Sequence, residues 1–230
     1  MLAQRGRVKE AKIAMDHYPP TSAVIVAGGR STRLGQDKRR LRLWGEAGPT
    51  LLEHTIAVAA QLCSEVIVVL NDRESWPSLM ATLVADAYPD AGPLGGIATG
   101  LQQATNDYAL TLSADLPLLN PALLKAMLHR ERTYDALIPR RSESGSGTVD
   151  ATGPRNRRGL ETLHAIYSRR CLPAIEARLA AGQRQIISFL DDVSVVEVSP
   201  QEWRSIDPHG HSFKNINTPE QLVEVQHLLS

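Results

Sequence analysis

The sequence predicts a three-layer α/β fold with a mostly parallel sheet, on three observations. Short β-branched runs alternate with helical stretches along most of the chain. Those runs are near-continuously apolar, as strands covered by helices on both faces require. A glycine-rich motif directly follows the first of them, at the strand end where open α/β sheets bind ligands. The 230 residues allow one large domain or two small ones. Hydrophobic residues make up 43% and charged residues 22%, which excludes bulk disorder. No apolar run is long enough to span a membrane.

In chain order, residues 1–20 lack an apolar h-region and a small-residue cleavage site, so they read as a disordered leader rather than a secretory signal. A single domain is expected over residues 21–230. Residues 22–27 (SAVIVA) predict a buried strand. Residues 50–62 predict a helix, with Thr50 as N-cap and Glu53 completing a capping box. Residues 65–70 and 82–86 predict strands, 94–104 a helix and 108–113 a strand. Asn120 and Pro121 open a helix that runs to about 130, and 135–138 predict a strand. Residues 139–161 are polar, basic and Gly/Ser-rich, and read as a long loop. Beyond it, 162–167 and 193–198 predict strands, 172–181 and 185–190 helices, and 213–217 an extended segment. One of the late strands is expected to be antiparallel. Thr218, Pro219 and Gln221 open a final helix with a second capping box.

Lys+Arg and Asp+Glu are each 25, and this zero net charge argues against a general nucleic-acid binder. Cys63 and Cys171 are too few for a cysteine-ligated zinc site or a disulfide framework, consistent with a reducing cytoplasm. The balance hides an asymmetry. Residues 30–42 carry six basic side chains against Asp37 alone. Residues 74–124 carry five acids and no Lys or Arg. A basic loop beside an acidic strip suits a metal–polyphosphate ligand, and equally a solvated surface.

The glycine motif runs AGGRSTRLGQDK over residues 27–38. Gly28 and Gly29 let backbone N–H groups approach an anion, and Arg33 and Lys38 can neutralise phosphate oxygens. It is neither a P-loop nor a G-x-G-x-x-G fingerprint. Asp115 follows a buried strand and can hold Mg²⁺ with water and substrate phosphates, or serve as a turn residue. Gly92 to Gly96 precede a helix whose N-terminus suits an anion, or form a close-packed turn. Asn215 and Asn217 share one side of an extended segment.

Residues 24–38 (VIVAGGRSTRLGQDK) resemble the signature of the molybdenum cofactor guanylyltransferases, a branch of the nucleotidyltransferase superfamily. Further matches follow in order at Asn71, Asp86, 92–97 (GPLGGI), 114–117 (ADLP) and 215–219 (NINTP). The resemblance implies a Rossmann-like nucleotidyltransferase fold. It also implies transfer of GMP from GTP to the terminal phosphate of molybdopterin, with release of pyrophosphate, in the cytoplasm. On this reading Lys38 and Arg33 are catalytic. Ala27, Gly28, Gly29, Lys38, Asn71, Asp86 and Asp115 bind the nucleotide, and Asp115 holds Mg²⁺. Arg33, Gly35, Gly92, Gly96, Arg184, Asn215 and Asn217 face the pterin, and protein partners receive the finished cofactor. Two departures stand out: Thr162 replaces the Pro usual before Leu-His, and the 139–161 loop is long. The loop's arginines (Arg140, Arg141, Arg155, Arg157 and Arg158) suit either an anionic pterin phosphate or solvent. The same scaffold serves cytidylyltransferases and sugar-phosphate nucleotidyltransferases. A non-catalytic cofactor-binding homologue is the alternative of a different class.

Overall fold

A computed structural model describes residues 18–28, 35–141 and 157–229. Seven strands form one sheet: β1 (Ser22–Val26), β2 (Glu65–Val69), β3 (Thr82–Val84), β4 (Tyr108–Ser113), β5 (Ala136–Pro139), β6 (His164–Ser168) and β7 (Val195–Val198). Their order is β3-β2-β1-β4-β6-β5-β7. β6 runs antiparallel to both β4 and β5, and every other pairing is parallel. The late antiparallel strand expected from the sequence is therefore β6.

Helices cover both faces, as parallel strands require. On one face α1 (Leu51–Leu62) and α3 (Pro121–Leu128) bury Leu52, Ile56, Leu123 and Leu124 against Ile25, Val68 and Leu112. On the other, α2 (Pro93–Gln103) and α4 (Leu172–Ala180) bury Ile97, Leu101 and Ile175 against Val24, Ile67 and Ala109. α2 sits close to β1 because two glycines face the strand. A Cβ at Gly96 would lie 2.8 Å from Val26 Cγ1, and one at Gly100 only 2.2 Å from Val24 Cγ1.

Two expectations need correction, and one element is additional. Residues 185–190 contain no α-helix but a 3₁₀ turn, Ile186–Phe189, anchored by buried Phe189. Phe213 ends another 3₁₀ turn, His211–Phe213, so the extended segment begins one residue later. A five-residue helix, α5 (Pro200–Arg204), was not foreseen, although Ser199 and Glu202 form a capping box there. The final helix is α6 (Pro219–Leu229). Of the expected leader, residues 1–17 lie outside the described residues. Tyr18 packs on the core and donates to the Leu62 carbonyl at 2.6 Å. Among the described residues no helix is long and apolar enough to cross a membrane.

Candidate active site

The carboxyl ends of β1 and β4 lie side by side, because Val26 pairs with Ser113. β1 is also where the sheet changes direction, with β2 on one flank and β4 on the other. Ligands of open α/β sheets bind at such a point. A cleft of about 940 Å³ opens there. Gly28, Gly35, Asn71, Asp86, Gly92 and Gly96 all line it, although they are spread over 69 positions of sequence.

Lys38 opens a 3₁₀ turn, Lys38–Arg40, whose N-cap is Asp37. Its ammonium donates to Asp115 Oδ2 at 2.5 Å and to Asn217 Oδ1 at 3.0 Å. Asp115 is nearly buried, two residues past β4, and Ser113 donates its hydroxyl to the other carboxylate oxygen. The Asp115 carbonyl accepts from Ile216 N–H at 3.3 Å, which ties the 214–217 segment to the strand end. The sequence therefore brings together one cation and two oxygen groups from positions 77 and 179 residues away.

Glycine is demanded by geometry at Gly35 and Gly92, whose φ values are +69° and +66°. Gly28 differs: among the described residues, its chain neighbours aside, no atom lies within 4 Å of where its Cβ would stand, so packing against them does not explain it. Space beside a strand-end glycine is what close approach of a ligand requires. Asn71 Oδ1 accepts from Asp86 N–H at 2.9 Å. The bonds to the Asp86 side chain, from Tyr88 N–H and the Thr99 hydroxyl, converge on Oδ1. Asp90, also on the cleft wall, has φ of 63°, a left-handed conformation that Asp adopts more readily than most residues.

Sequence reasoning missed Arg39 and Asp72. Arg39 is largely buried and spends its whole fork inside the protein. It bonds both Asp37 oxygens, both Asp72 oxygens at 2.7 and 2.8 Å, and the Ala27 carbonyl at 3.0 Å. Its hydrogen bonds hold the Asp72 carboxyl below the usual range. Asp37 is partly desolvated, yet the bonds and charge of Arg39 outweigh that and lower it too. The clamp joins the ends of β1 and β2 to the turn that carries Lys38. Asp72 also accepts from the indole of Trp76, whose face carries Arg40 at 4.1 Å. The available signal was the run of six cations in residues 30–42 together with the acids Asp72 and Glu74 that follow the second strand.

Other sequence candidates lie elsewhere. Gly29, Arg33 and Arg155 are outside the described residues. Arg184 lines a separate hollow of about 400 Å³ with Tyr88 and Glu176. Asn215 is half-buried on the segment that holds Asn217. Three loop arginines are taken: Arg140 by Glu197, Arg141 by Glu161 and Arg157 by Asp191. These three have carboxylate partners, which neither reading of the sequence foresaw. His164 is fully buried against Phe213, and desolvation lowers its pKa to about 3. Neither ring nitrogen has a partner among the described residues.

The arrangement presents a cationic donor, backbone room for an anion, and hard oxygen groups at one strand edge, the constituents of a phosphate-handling site. Comparison with known proteins agrees. The model of the MobA-like NTP transferase domain matches residues 23–194, which include Lys38, Asp86 and Asp115 and stop short of Asn217. The chain is 43% identical over 205 residues to a probable molybdenum cofactor guanylyltransferase of Chloroflexus aggregans, covering 89% of this chain and 93% of that one. It is 35% identical to the molybdenum cofactor guanylyltransferase of Syntrophotalea carbinolica, covering 87% and 88%. In fold it resembles the molybdopterin-guanine dinucleotide biosynthesis protein A of Archaeoglobus fulgidus, with a TM-score of 0.73, 22% identity and coverage of 91% and 98%. The 2-C-methyl-D-erythritol 4-phosphate cytidylyltransferase of Thermus thermophilus shares that fold at a TM-score of 0.63 and 20% identity, covering 90% and 98%. A family model that spans the cleft, together with relatives aligned along nearly their whole length, means that this chain belongs to the MobA-like NTP transferase family and is a nucleotidyltransferase.

Proposed function

We propose that the enzyme transfers GMP from GTP to the terminal phosphate of molybdopterin, or of its molybdenum form, and releases pyrophosphate. The observation that carries this reading is the junction of Lys38, Asp115 and Asn217 beside the glycine-lined cleft. The guanylyltransferase names of its relatives support the choice of base and acceptor. The attacking phosphate is ionised near neutral pH, so no general base is needed. Catalysis then rests on placing two anions in line and neutralising charge as it develops. Lys38 supplies a point charge on a flexible stem, and Gly28 the room for a phosphate oxygen. Asp86 and Asn71 offer the carboxylate and amide that the N1–H and N2–H₂ edge of guanine requires. Arg33, from the same loop, adds a second cation for the phosphates.

Mg²⁺ fits the residues present. The Asp115 carboxylate is a hard donor whose Oδ1 faces the Ser113 hydroxyl while Oδ2 receives Lys38, and Mg²⁺ commonly takes one or two carboxylates while water and substrate phosphates complete its shell. When bound it would polarise the phosphoryl oxygens. Among the described residues no group of three His, Cys, Asp or Glu could hold a metal on protein ligands alone.

The deciding experiment measures pyrophosphate release with Mg²⁺ and molybdopterin from GTP, CTP, ATP and UTP in parallel. GTP alone should support turnover. Equal rates with CTP would refute the choice of base, and turnover only with a sugar phosphate as acceptor would refute the acceptor.

A further inference from the structure

The last helix reaches the site through a hydrogen bond that a capping box does not ordinarily make. In such a box the N-cap and N3 side chains each accept from the other's backbone N–H. Thr218 and Gln221 do so, at 3.2 and 3.4 Å. The shortest bond to Gln221 Oε1, at 2.7 Å, comes from one residue earlier, the N–H of Asn217. Asn217 is the residue whose amide oxygen receives Lys38. On its other side Ile216 is fully buried with Leu51 and Val225 and donates to the Asp115 carbonyl. The backbone at Asn217 is thus held from both sides, by the residue that carries the carboxylate and by α6.

We propose that Gln221 is a positioning residue for the transfer reaction: it holds Asn217 so that the amide oxygen and Asp115 together aim the Lys38 ammonium. The inference rests on Lys38 being the group that meets the transferring phosphates. An ammonium has three donors. Two are spent on Asp115 and Asn217, so the direction of the third is set. Without the second acceptor, the four-carbon stem would sample many rotamers and lose that direction. Capping α6 requires only an acceptor for Thr218; the bond to Asn217 is additional.

Gln221→Met removes the acceptor at similar size, and Gln221→Glu keeps it. Two readouts are needed: pyrophosphate release from GTP with Mg²⁺ and molybdopterin, and lysine-selective ¹⁵N NMR of the Lys38 ammonium in the protein alone. Loss of the signal in Lys38→Arg assigns it. Gln221→Met should lower kcat by about tenfold to a hundredfold with KM for GTP little changed. It should also broaden the Lys38 signal, and Gln221→Glu should restore both. In an Asn217→Ala background there is no amide left to aim, so Gln221→Met should cost kcat nothing further. The inference is overturned if Gln221→Met lowers only Tm, or if the two losses multiply. A wild-type protein that releases no pyrophosphate from any nucleotide would refute the proposed function instead, and the NMR comparison would still decide the positioning.

Discussion

Lys38 and Arg39 are adjacent cations with different surroundings. Lys38 meets one carboxylate and one amide just past the end of β4, whereas Arg39, which lines the cleft, is consumed by Asp37, Asp72 and the Ala27 carbonyl. One well-placed donor to developing charge typically contributes about 10²–10³ in rate. Lys38→Ala is therefore expected to cut kcat/KM for pyrophosphate release by that order. Lys38→Arg should rescue it only in part, because a planar fork does not reproduce a compact ammonium. Arg40, half-exposed on the face of Trp76, is the proper control, and Arg40→Ala should leave the rate near wild type. Equal losses at Lys38 and Arg40 would reduce the loop to general electrostatics. Arg39 does not serve as a control, since its removal would loosen the turn that carries Lys38. Spacing from the glycines singled out Lys38 in the sequence. The division of labour among its neighbours was not legible there, because it depends on Asp72, which sits across the sheet edge.

His164 gives a second test at this scale. Its folded pKa is lowered to about 3 by burial, so the unfolded chain takes up the proton first. Stability should then fall as pH drops below about 6.5, by about 1.4 kcal/mol per unit until the folded value is reached. His164→Leu removes that dependence. Denaturant titrations at pH 7.5 and 5 should show a loss about 2 kcal/mol larger in wild type than in the variant. Equal losses would mean that His164 is hydrated or partnered in solution. A lone His in an apolar run is more often a packed core residue than a ligand, and the structure places His164 in the core.

Among the elements, α2 shows how one motif serves two ends. Its glycines read as an anion-binding turn or as close packing. Gly92 lies on the cleft wall, Gly96 both lines the cleft and abuts Val26, and Gly100 is purely a packing residue. Alanine favours an exposed helix position over glycine by about 1 kcal/mol. At Gly100 the clash with Val24 opposes that gain, and overpacking costs about 1–3 kcal/mol. Gly100→Ala is thus expected to lower Tm, by roughly 2–4 °C for each net kcal/mol. A raised Tm would show that α2 does not lie this close to β1. Capping boxes and N1 prolines made α1, α3 and α6 readable from local chemistry. The same chemistry at Ser199 was passed over because only five helical residues follow. At 186–189 the chain stops at a 3₁₀ turn, where burial of Phe189 and Leu190, not helical period, sets the backbone.

For the whole molecule, the proposed GTP site lies where strand order reverses, and it draws on β1, β2, β4, α2 and the segment before α6. A ligand that binds only the folded state stabilises all of it. At about 100 times Kd the gain is about 2.7 kcal/mol, or roughly 5–10 °C at this chain length. Mg²⁺ with GTP should therefore raise Tm by that amount, and Mg²⁺ with CTP by much less. Comparable shifts for the two would contradict guanine selection by this cleft.

The sequence alone determined the α/β class, most strands and helices, and the glycine loop with Lys38 and Asp115, because each is written in local signals: apolar period, capping residues and strand-end motifs. Only the tertiary structure decided that Asn217 meets Lys38, that Arg39 is a clamp, that the described arginines with carboxylate partners after β5 are spent on ion pairs, and that Arg184 lies in a different hollow. Those facts join residues far apart in the chain. Sequence spacing cannot encode them, because the register of β1 against β4 and the docking of α6 set which distant side chains come within hydrogen-bond reach.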